Sequence, residues 1–302
     1  MTRERTIADW IGRVAEALTR ADLHYGHGTD NAEDEAAWLV LHAASLPLDG
    51  SFTDGERLLP EPVARRIDEL VRARCETRKP LAYLTGSAFF AGLEFDVDEH
   101  VLVPRSPVAE LILDRFRPWM DPQRIRAVLD LCTGSGCIAI ACARAFEQAH
   151  VDAADISEDA LAVAQINVER FQLHEWVRLV ESDLFAGLGG MRYQLIISNP
   201  PYVSVEEMAT LPEEYLHEPR LGLTAGSAGL DVVIRILAQA GQHLEPDGIL
   251  VVEVGNSQAA LAEAFPEVPF LWLDFERGGH GVFLLDVQQV QQYQALFENA
   301  LG

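Results

Sequence analysis

The chain has 302 residues, 49% of them apolar, and a formal net charge of −24. That is enough for one large domain and a small one, with a globular composition and no low-complexity tract. The acidic balance argues against a nucleic-acid backbone as the main partner, because phosphates are bound by clustered Lys and Arg; it suits a soluble protein or one that meets a basic partner.

The opening residues run straight into an amphipathic pattern, so no signal peptide and no transmembrane span is expected, and a cytoplasmic location is the default. Thr6 and Asp9 have the spacing of a capping box, and Trp10, Ile11, Val14 and Leu18 follow at helical spacing. His24 and His27 lie in a polar, Gly-rich break and read as surface histidines. A second helix is predicted over 31–46, with acidic residues in its first turn and Ala36, Leu39, Val40 and Ala43 on one face. A loop over 47–60 leads to a third helix opened by Pro62 and carrying Val63, Ile67, Leu70 and Val71. From Ser87 the period changes to that of a β-hairpin, through Phe89-Phe90, Leu93 to Val97 and Val101 to Val103. The expected division is a helical domain over 1–84, suited to gripping a macromolecular substrate, a hairpin linker over 85–103, and an α/β domain over 104–302.

In the α/β domain a helix begins at Val108, and strands and helices then alternate. Strands are predicted at 127–131, 151–154, 177–180, 193–197, 248–254, 270–273 and 282–285. Helices are predicted at 136–146, 157–170 and 230–244, with a further one capped by Asn256 and running to Phe265. Such alternation implies a mainly parallel sheet with helices on both faces. Cys132, Cys137 and Cys142 are evenly spaced but lack the paired spacing of a zinc site; with Cys75 they read as small buried residues.

Two stretches carry chemistry. Asp130-Leu131-Cys132-Thr133-Gly134-Ser135-Gly136 joins the first strand of the α/β domain to its helix, where glycines let backbone approach a ligand. One reading is a relaxed dinucleotide fingerprint, Gly134-x-Gly136-x-x-Ala139, with Asp155 holding a ribose. The other is an S-adenosylmethionine site: Asp130 meets a cationic amino-acid group, Asp155 accepts ribose hydroxyls, and Asp183 accepts the adenine amino group. Each aspartate is also a fair cap or turn former.

The second stretch is Asn199-Pro200-Pro201-Tyr202, directly behind a strand. Two prolines cannot continue a ladder, so the strand stops there, and Asn199 is pushed to an extended conformation. The result is a stiff mount for one amide, one carbonyl and one ring. The Asn199 oxygen and the Pro200 carbonyl suit the two N–H groups of a planar –NH2, with Tyr202 on its face.

Together, D-L-C-T-G-S-G-C-I and N-P-P-Y resemble the protein N5-glutamine methyltransferase family from about Pro80 to the end. Pro104-Arg105, Asp155-Ile156-Ser157, Asn167, His217-Glu218-Pro219, Glu253-Val254-Gly255 and Gly281-Val282-Phe283 extend the likeness. The resemblance implies the class I S-adenosylmethionine-dependent methyltransferase fold, a Rossmann-like seven-stranded sheet with its last strand antiparallel. It also implies a cofactor site of Asp130, Thr133, Gly134, Gly136, Asp155, Asp183 and Asn199, and a catalytic set of Asn199, Pro200 and Tyr202. No dedicated base is evident. Glu218 reads equally as a substrate contact and as a surface carboxylate. Release-factor methylases of the family carry an acidic-threonine pattern where this chain has Ser106-Pro107-Val108-Ala109, which resembles the branch acting on ribosomal protein uL3. The implied substrate is uL3, free or in an early assembly particle, with no membrane and no sequence-specific nucleic acid as partner. The alternatives are a release-factor glutamine methyltransferase or an RNA/DNA amino-methyltransferase.

Overall fold

The computed structural model describes residues 5–48 and 51–301. Residues 1–4, read above as the start of a chain without a signal peptide, lie outside it, as do residues 49 and 50 of the expected 47–60 loop and residue 302. The chain forms two compact units. The first comprises Met1–Glu99, Val103–Arg105 and Pro212–His217, and the second comprises His100–Leu102, Ser106–Leu211 and Glu218–Gly302. The hairpin, expected as a linker, groups with the helices of the first unit.

In the first unit, α1 (Ile7–Arg20) starts at the Thr6–Asp9 capping box, whose two reciprocal hydrogen bonds are 3.1 and 3.2 Å long. Asn31 caps α2 (Ala32–Ala43), accepting the Asp34 N–H at 2.8 Å. The third helix, α3 (Glu61–Thr77), carries Pro62 in its first turn, where a missing N–H costs nothing. A short α4 (Leu81–Thr85), which periodicity did not reveal, leads into β1 (Ser87–Phe90) and β2 (Leu93–Asp96), an antiparallel hairpin. Val101 to Val103, expected as part of that hairpin, are not strand.

A buried polar cluster lies here. Arg74 Nε donates to Glu35 Oε1 at 2.7 Å, and its guanidinium also reaches the carbonyls of Arg78 and His24, each at 3.0 Å, and Glu214 at 3.6 Å. Glu214 takes a second ion pair from Arg78 at 3.0 Å and the His24 N–H at 2.9 Å. Arg74, Glu35 and Glu214 are all buried. This cluster ties Pro212–His217, which comes from far along the sequence, into the helical unit. The expectation of surface histidines fails at His27, which is buried with its ring 4.5 Å from that of Tyr215, because the returning segment covers it.

The second unit opens with α5 (Val108–Leu113), followed by β3 (Ala127–Leu131), α6 (Cys137–Ala145), β4 (His150–Asp155), α7 (Glu158–Arg170), β5 (Val177–Glu181) and β6 (Tyr193–Ser198). After two single-turn helices, α8 (Val205–Met208) and α9 (Arg220–Leu223), come α10 (Asp231–His243), β7 (Leu244–Glu253), α11 (Gln258–Ala264), β8 (Leu271–Trp272) and β9 (Val282–Asp286). Two further helices, α12 (Val287–Gln292) and α13 (Gln294–Asn299), were not expected from sequence. The sheet order is β5-β4-β3-β6-β7-β9-β8, with β3 to β7 parallel and β9 antiparallel to both its neighbours. Strand order therefore reverses between β3 and β6, the switch point where such sheets open a crevice at their carboxyl ends.

The parallel strands read as continuous apolar runs because both faces are covered. On α10, Val233, Ile236, Leu237 and Ala240 are buried at helical spacing and join Leu131, Ile196, Leu250, Val252 and Phe283 in one core. Asn256 does not cap α11: it sits in a 3-10 turn over Gly255–Ser257, and its amide donates to Glu207. Cys137 and Cys142 are buried, Cys75 and Cys132 partly so, and all four are free. No group of metal-ligating residues forms among the described residues.

Candidate active site

The site is built from loops at the carboxyl ends of the parallel strands. Leu131 on β3 and Ser198 on β6 are register partners, and Ser198 Oγ donates to the Leu131 carbonyl at 2.9 Å. The glycine loop behind Leu131 and the Asn199-Pro200-Pro201-Tyr202 stretch behind Ser198 thus leave the sheet side by side.

Three side chains shape the glycine loop. Asp130 Oδ2 accepts the Thr133 hydroxyl at 2.5 Å and the Ala139 N–H at 3.0 Å, linking the strand end to the first turn of α6. Asp155 Oδ2 accepts the Gly134 N–H at 2.9 Å, and its Oδ1 accepts the Ser157 N–H at 3.0 Å. Asn167, wholly buried on α7, donates to the Ser135 carbonyl at 2.9 Å. Gly134 and Gly136 have φ of +55° and +78°, conformations that favour glycine. A Cβ on Gly136 would also lie 3.3 Å from the Ala164 Cβ, so the glycine lets α6 start close against α7.

The electrostatics are those of acids withdrawn from water. Burial pushes the Asp130 carboxyl up to about 7, against the lowering hydrogen bonds from Thr133 and Ala139. Its Oδ1 is buried without a hydrogen-bond partner among the described residues. Burial also raises Asp155, opposed by the N–H groups of Gly134, Ser157 and Ile156. Burial lifts the Cys132 thiol, and the carboxylates of Asp155, Asp130 and Asp183 all push the same way. Asp183 is exposed and paired with Arg235 at 2.8 Å, which leaves only part of its acceptor capacity for a ligand.

At the β6 end, Pro200 is buried and Asn199 half-buried. None of the hydrogen bonds among the described residues engages the Asn199 side-chain amide. Tyr202 is fixed rather than loose: its hydroxyl donates to Glu253 Oε1 at 3.1 Å, and Ser257 Oγ donates to its carbonyl at 2.8 Å. Glu218, read as a substrate contact or a surface carboxylate, is buried, so the surface reading falls. Sequence reasoning missed the roles of Glu253, Ser257 and Asn167. A signal existed for Glu253, since it ends β7 just as Asp155 ends β4.

These features suit one kind of ligand. The unpartnered Asp130 oxygen is wholly buried, where its carboxylate favours a nearby cationic ammonium through its field. A carboxylate such as Asp155 has about four lone-pair sites; the Gly134, Ser157 and Ile156 N–H groups take up to three of them, so acceptor capacity remains for a ribose hydroxyl. The backbone around Gly134 presents open space where a side chain would be.

Residues 109–269 match the family model described as methyltransferase small domain, and residues 16–86 match the PrmC N-terminal domain. With the sheet order and the loop at its switch point, this defines a class I methyltransferase, whose cofactor is S-adenosylmethionine. A ribosomal protein uL3 glutamine methyltransferase of Francisella tularensis is 47% identical over 97% of this chain and 94% of its own. Another of that name, from Xylella fastidiosa, is 48% identical over 94% of this chain and 91% of its own. The chain belongs to the family of protein glutamine methyltransferases that these two represent. Among solved structures, the hMettl16 catalytic domain in complex with MAT2A 3'UTR hairpin 1 aligns with a TM-score of 0.51 at 19% identity, over 81% of this chain and 88% of that one. At that identity the likeness concerns the fold alone.

Proposed function

We propose that this protein transfers a methyl group from S-adenosylmethionine to the side-chain nitrogen of a glutamine on ribosomal protein uL3. The observation that carries the reading is the unengaged Asn199 amide, mounted on a proline-stiffened strand end directly beside the glycine loop. The relatives named for that activity span nearly the whole chain and support the choice of substrate.

The cofactor, when bound, supplies an electrophilic methyl group on a sulfonium centre. The Gly134–Gly136 loop and Asp155 hold it, with Asp130 toward its ammonium, Thr133 keeping the loop closed and Asp183 at the adenine end. An amide nitrogen is a poor nucleophile because its lone pair is shared with the carbonyl. Asn199 Oδ1 and the Pro200 carbonyl accept its two N–H bonds, fix its orientation and stabilise the positive charge that develops as it attacks. Tyr202 packs beside the amide plane. The proton then leaves to water.

Asp155→Ala tests the cofactor half. The variant loses a charged acceptor worth roughly 1.5–3 kcal/mol, so S-adenosylmethionine affinity drops about 10-fold to 150-fold. Calorimetry that finds native affinity in this variant would remove Asp155 from the site.

An acidic enzyme suits a basic ribosomal protein. Between Arg192 and Arg220 there is no Lys or Arg, while Glu206 and Glu213 are exposed there and Glu207 partly so. Steering of this kind speeds encounter and fades with salt, since the screening length is about 8 Å at physiological ionic strength. It favours free uL3 or an early assembly particle over the finished ribosome, whose RNA would cover the substrate and repel the enzyme. The reaction then belongs in the cytoplasm; no helix among the described residues is long and apolar enough to cross a membrane. The test is a parallel assay on free uL3, a release factor, mature ribosomes and naked RNA, read by mass. Free uL3 should be methylated fastest. A faster release factor moves the chain to the sister branch, and methylated RNA overturns the protein substrate.

A further inference from the structure

The Tyr202 side chain ends on a carboxylate to which the reaction proposed above assigns no role. Glu253, at the carboxyl end of β7, is buried, and two of the bonds it makes are to hydroxyls. Oε1 accepts the Tyr202 hydroxyl at 3.1 Å, and Oε2 accepts the Ser106 hydroxyl at 2.5 Å. Ser106 is itself buried and accepts the Val108 N–H at 3.2 Å, so the chain of bonds runs back to the start of α5. The other side of Tyr202 is equally confined. A Cβ on Gly255 would stand 2.6 Å from the ring, and one on Gly229 would stand 2.2 Å from the Tyr202 carbonyl, which Ser257 also holds.

Burying a carboxylate is costly unless it is well bonded; here the Ser106 bond holds the carboxylate and the Tyr202 bond ties the ring to it. We propose that Glu253 is a positioning residue for methyl transfer: with Ser106 it clamps Tyr202, and so fixes the Asn199-Pro200 acceptors three and two residues upstream. The proposal rests on the reading of this site as a glutamine methyltransferase. It also gives Ser106 a task, just before the positions where the chain departs from the acidic-threonine pattern: its hydroxyl is a second donor that keeps the Glu253 carboxylate in place.

The clamp acts through hydrogen bonds, so charge at Glu253 is dispensable and geometry is not. Glu253→Gln keeps both bonds, because the amide oxygen accepts from Tyr202 while the –NH2 donates to Ser106 Oγ. Glu253→Ala keeps neither. Displacement of reacting groups by about 1 Å costs on the order of 100-fold in rate. Single-turnover and steady-state kinetics on uL3 should therefore show kcat down about 100-fold for Glu253→Ala and within a few-fold of native for Glu253→Gln. KM for uL3 and the dissociation constant of S-adenosylmethionine stay near native in both. Tyr202→Phe also lowers kcat, and adding Glu253→Ala to it costs little more, because the two residues act as one unit. Should Glu253→Ala fold poorly, Ser106→Ala is the gentler variant, with a smaller loss confined to kcat. Native kcat in Glu253→Ala or Ser106→Ala, equal losses in the Gln and Ala variants, or full additivity with Tyr202→Phe would each overturn the clamp. A native enzyme that makes no methylglutamine would instead overturn the reading beneath it, so the two failures are distinct.

Discussion

Asn199→Ala should reduce turnover on uL3 by about 100-fold to 1,000-fold, the range seen when one preorganised group facing transition-state charge is removed. The amide nitrogen gains positive charge only as it attacks, so the Asn199 oxygen is worth more in the transition state than in the ground state. The loss therefore falls on kcat rather than on KM. S-adenosylmethionine affinity should stay within a few-fold, because the loop is shaped by Asp130, Asp155 and Asn167, none of which bonds the Asn199 side chain. Asn199→Asp sharpens the test. It keeps an acceptor at the same place but adds a charge, and so alters the orientation and electrostatics of the substrate amide. Full turnover in the alanine variant at saturating substrate would defeat the placement role.

The second large effect is on stability. Arg74→Met should cost the helical unit ~3–5 kcal/mol, because it strands the buried Glu35 carboxylate and takes from buried Glu214 one of its two arginines. An exposed pair such as Arg20–Glu16 offers the contrast, since breaking it should cost about 0–1 kcal/mol. The pH dependence has a definite sign. Burial pushes Glu214 up, but the His24 and Glu214 backbone N–H groups with Arg78 and Arg74 carry it below the ordinary carboxylate range in the fold. Its contribution is thus present above the usual glutamate value and is lost as pH falls through the lowered one. Removing Arg74 should shrink this acid-side loss. Denaturant titrations of both variants across pH check it: equal costs for Arg74→Met and Arg20→Ala would contradict the assignment.

Local signals made much of this molecule readable. The Thr6–Asp9 box, the apolar runs of β3 and β6, and the glycines of the loop depend on neighbours within a few residues, and the structure has them where periodicity and capping put them. The site residues came from a single idea, acids and amides at the carboxyl ends of parallel strands. What escaped was set by contacts distant in sequence. His27 is buried because residues 212–217 return to the helical unit, and Glu214 is buried by two arginines more than a hundred residues earlier. Asn256 looks like a helix cap in sequence, yet its side chain is taken by Glu207. The irregular course from Val203 to Ala225, pinned by a bridge between Val203 and Thr224, has no period to read. Glu253 lay within reach of the strand-end rule but was counted only as part of a resemblance.

The most direct measurement is fragment mass spectrometry of uL3 after incubation with the enzyme and isotopically labelled S-adenosylmethionine, run in parallel with Asn199→Ala. The expected result is one labelled methyl group on the side-chain nitrogen of one glutamine, accumulating with the native chain and nearly absent with the variant. Label on a lysine, a backbone amide or RNA, or label undiminished in the variant, would contradict the assignment of the Asn199-Pro200 strand end as the amide-holding site.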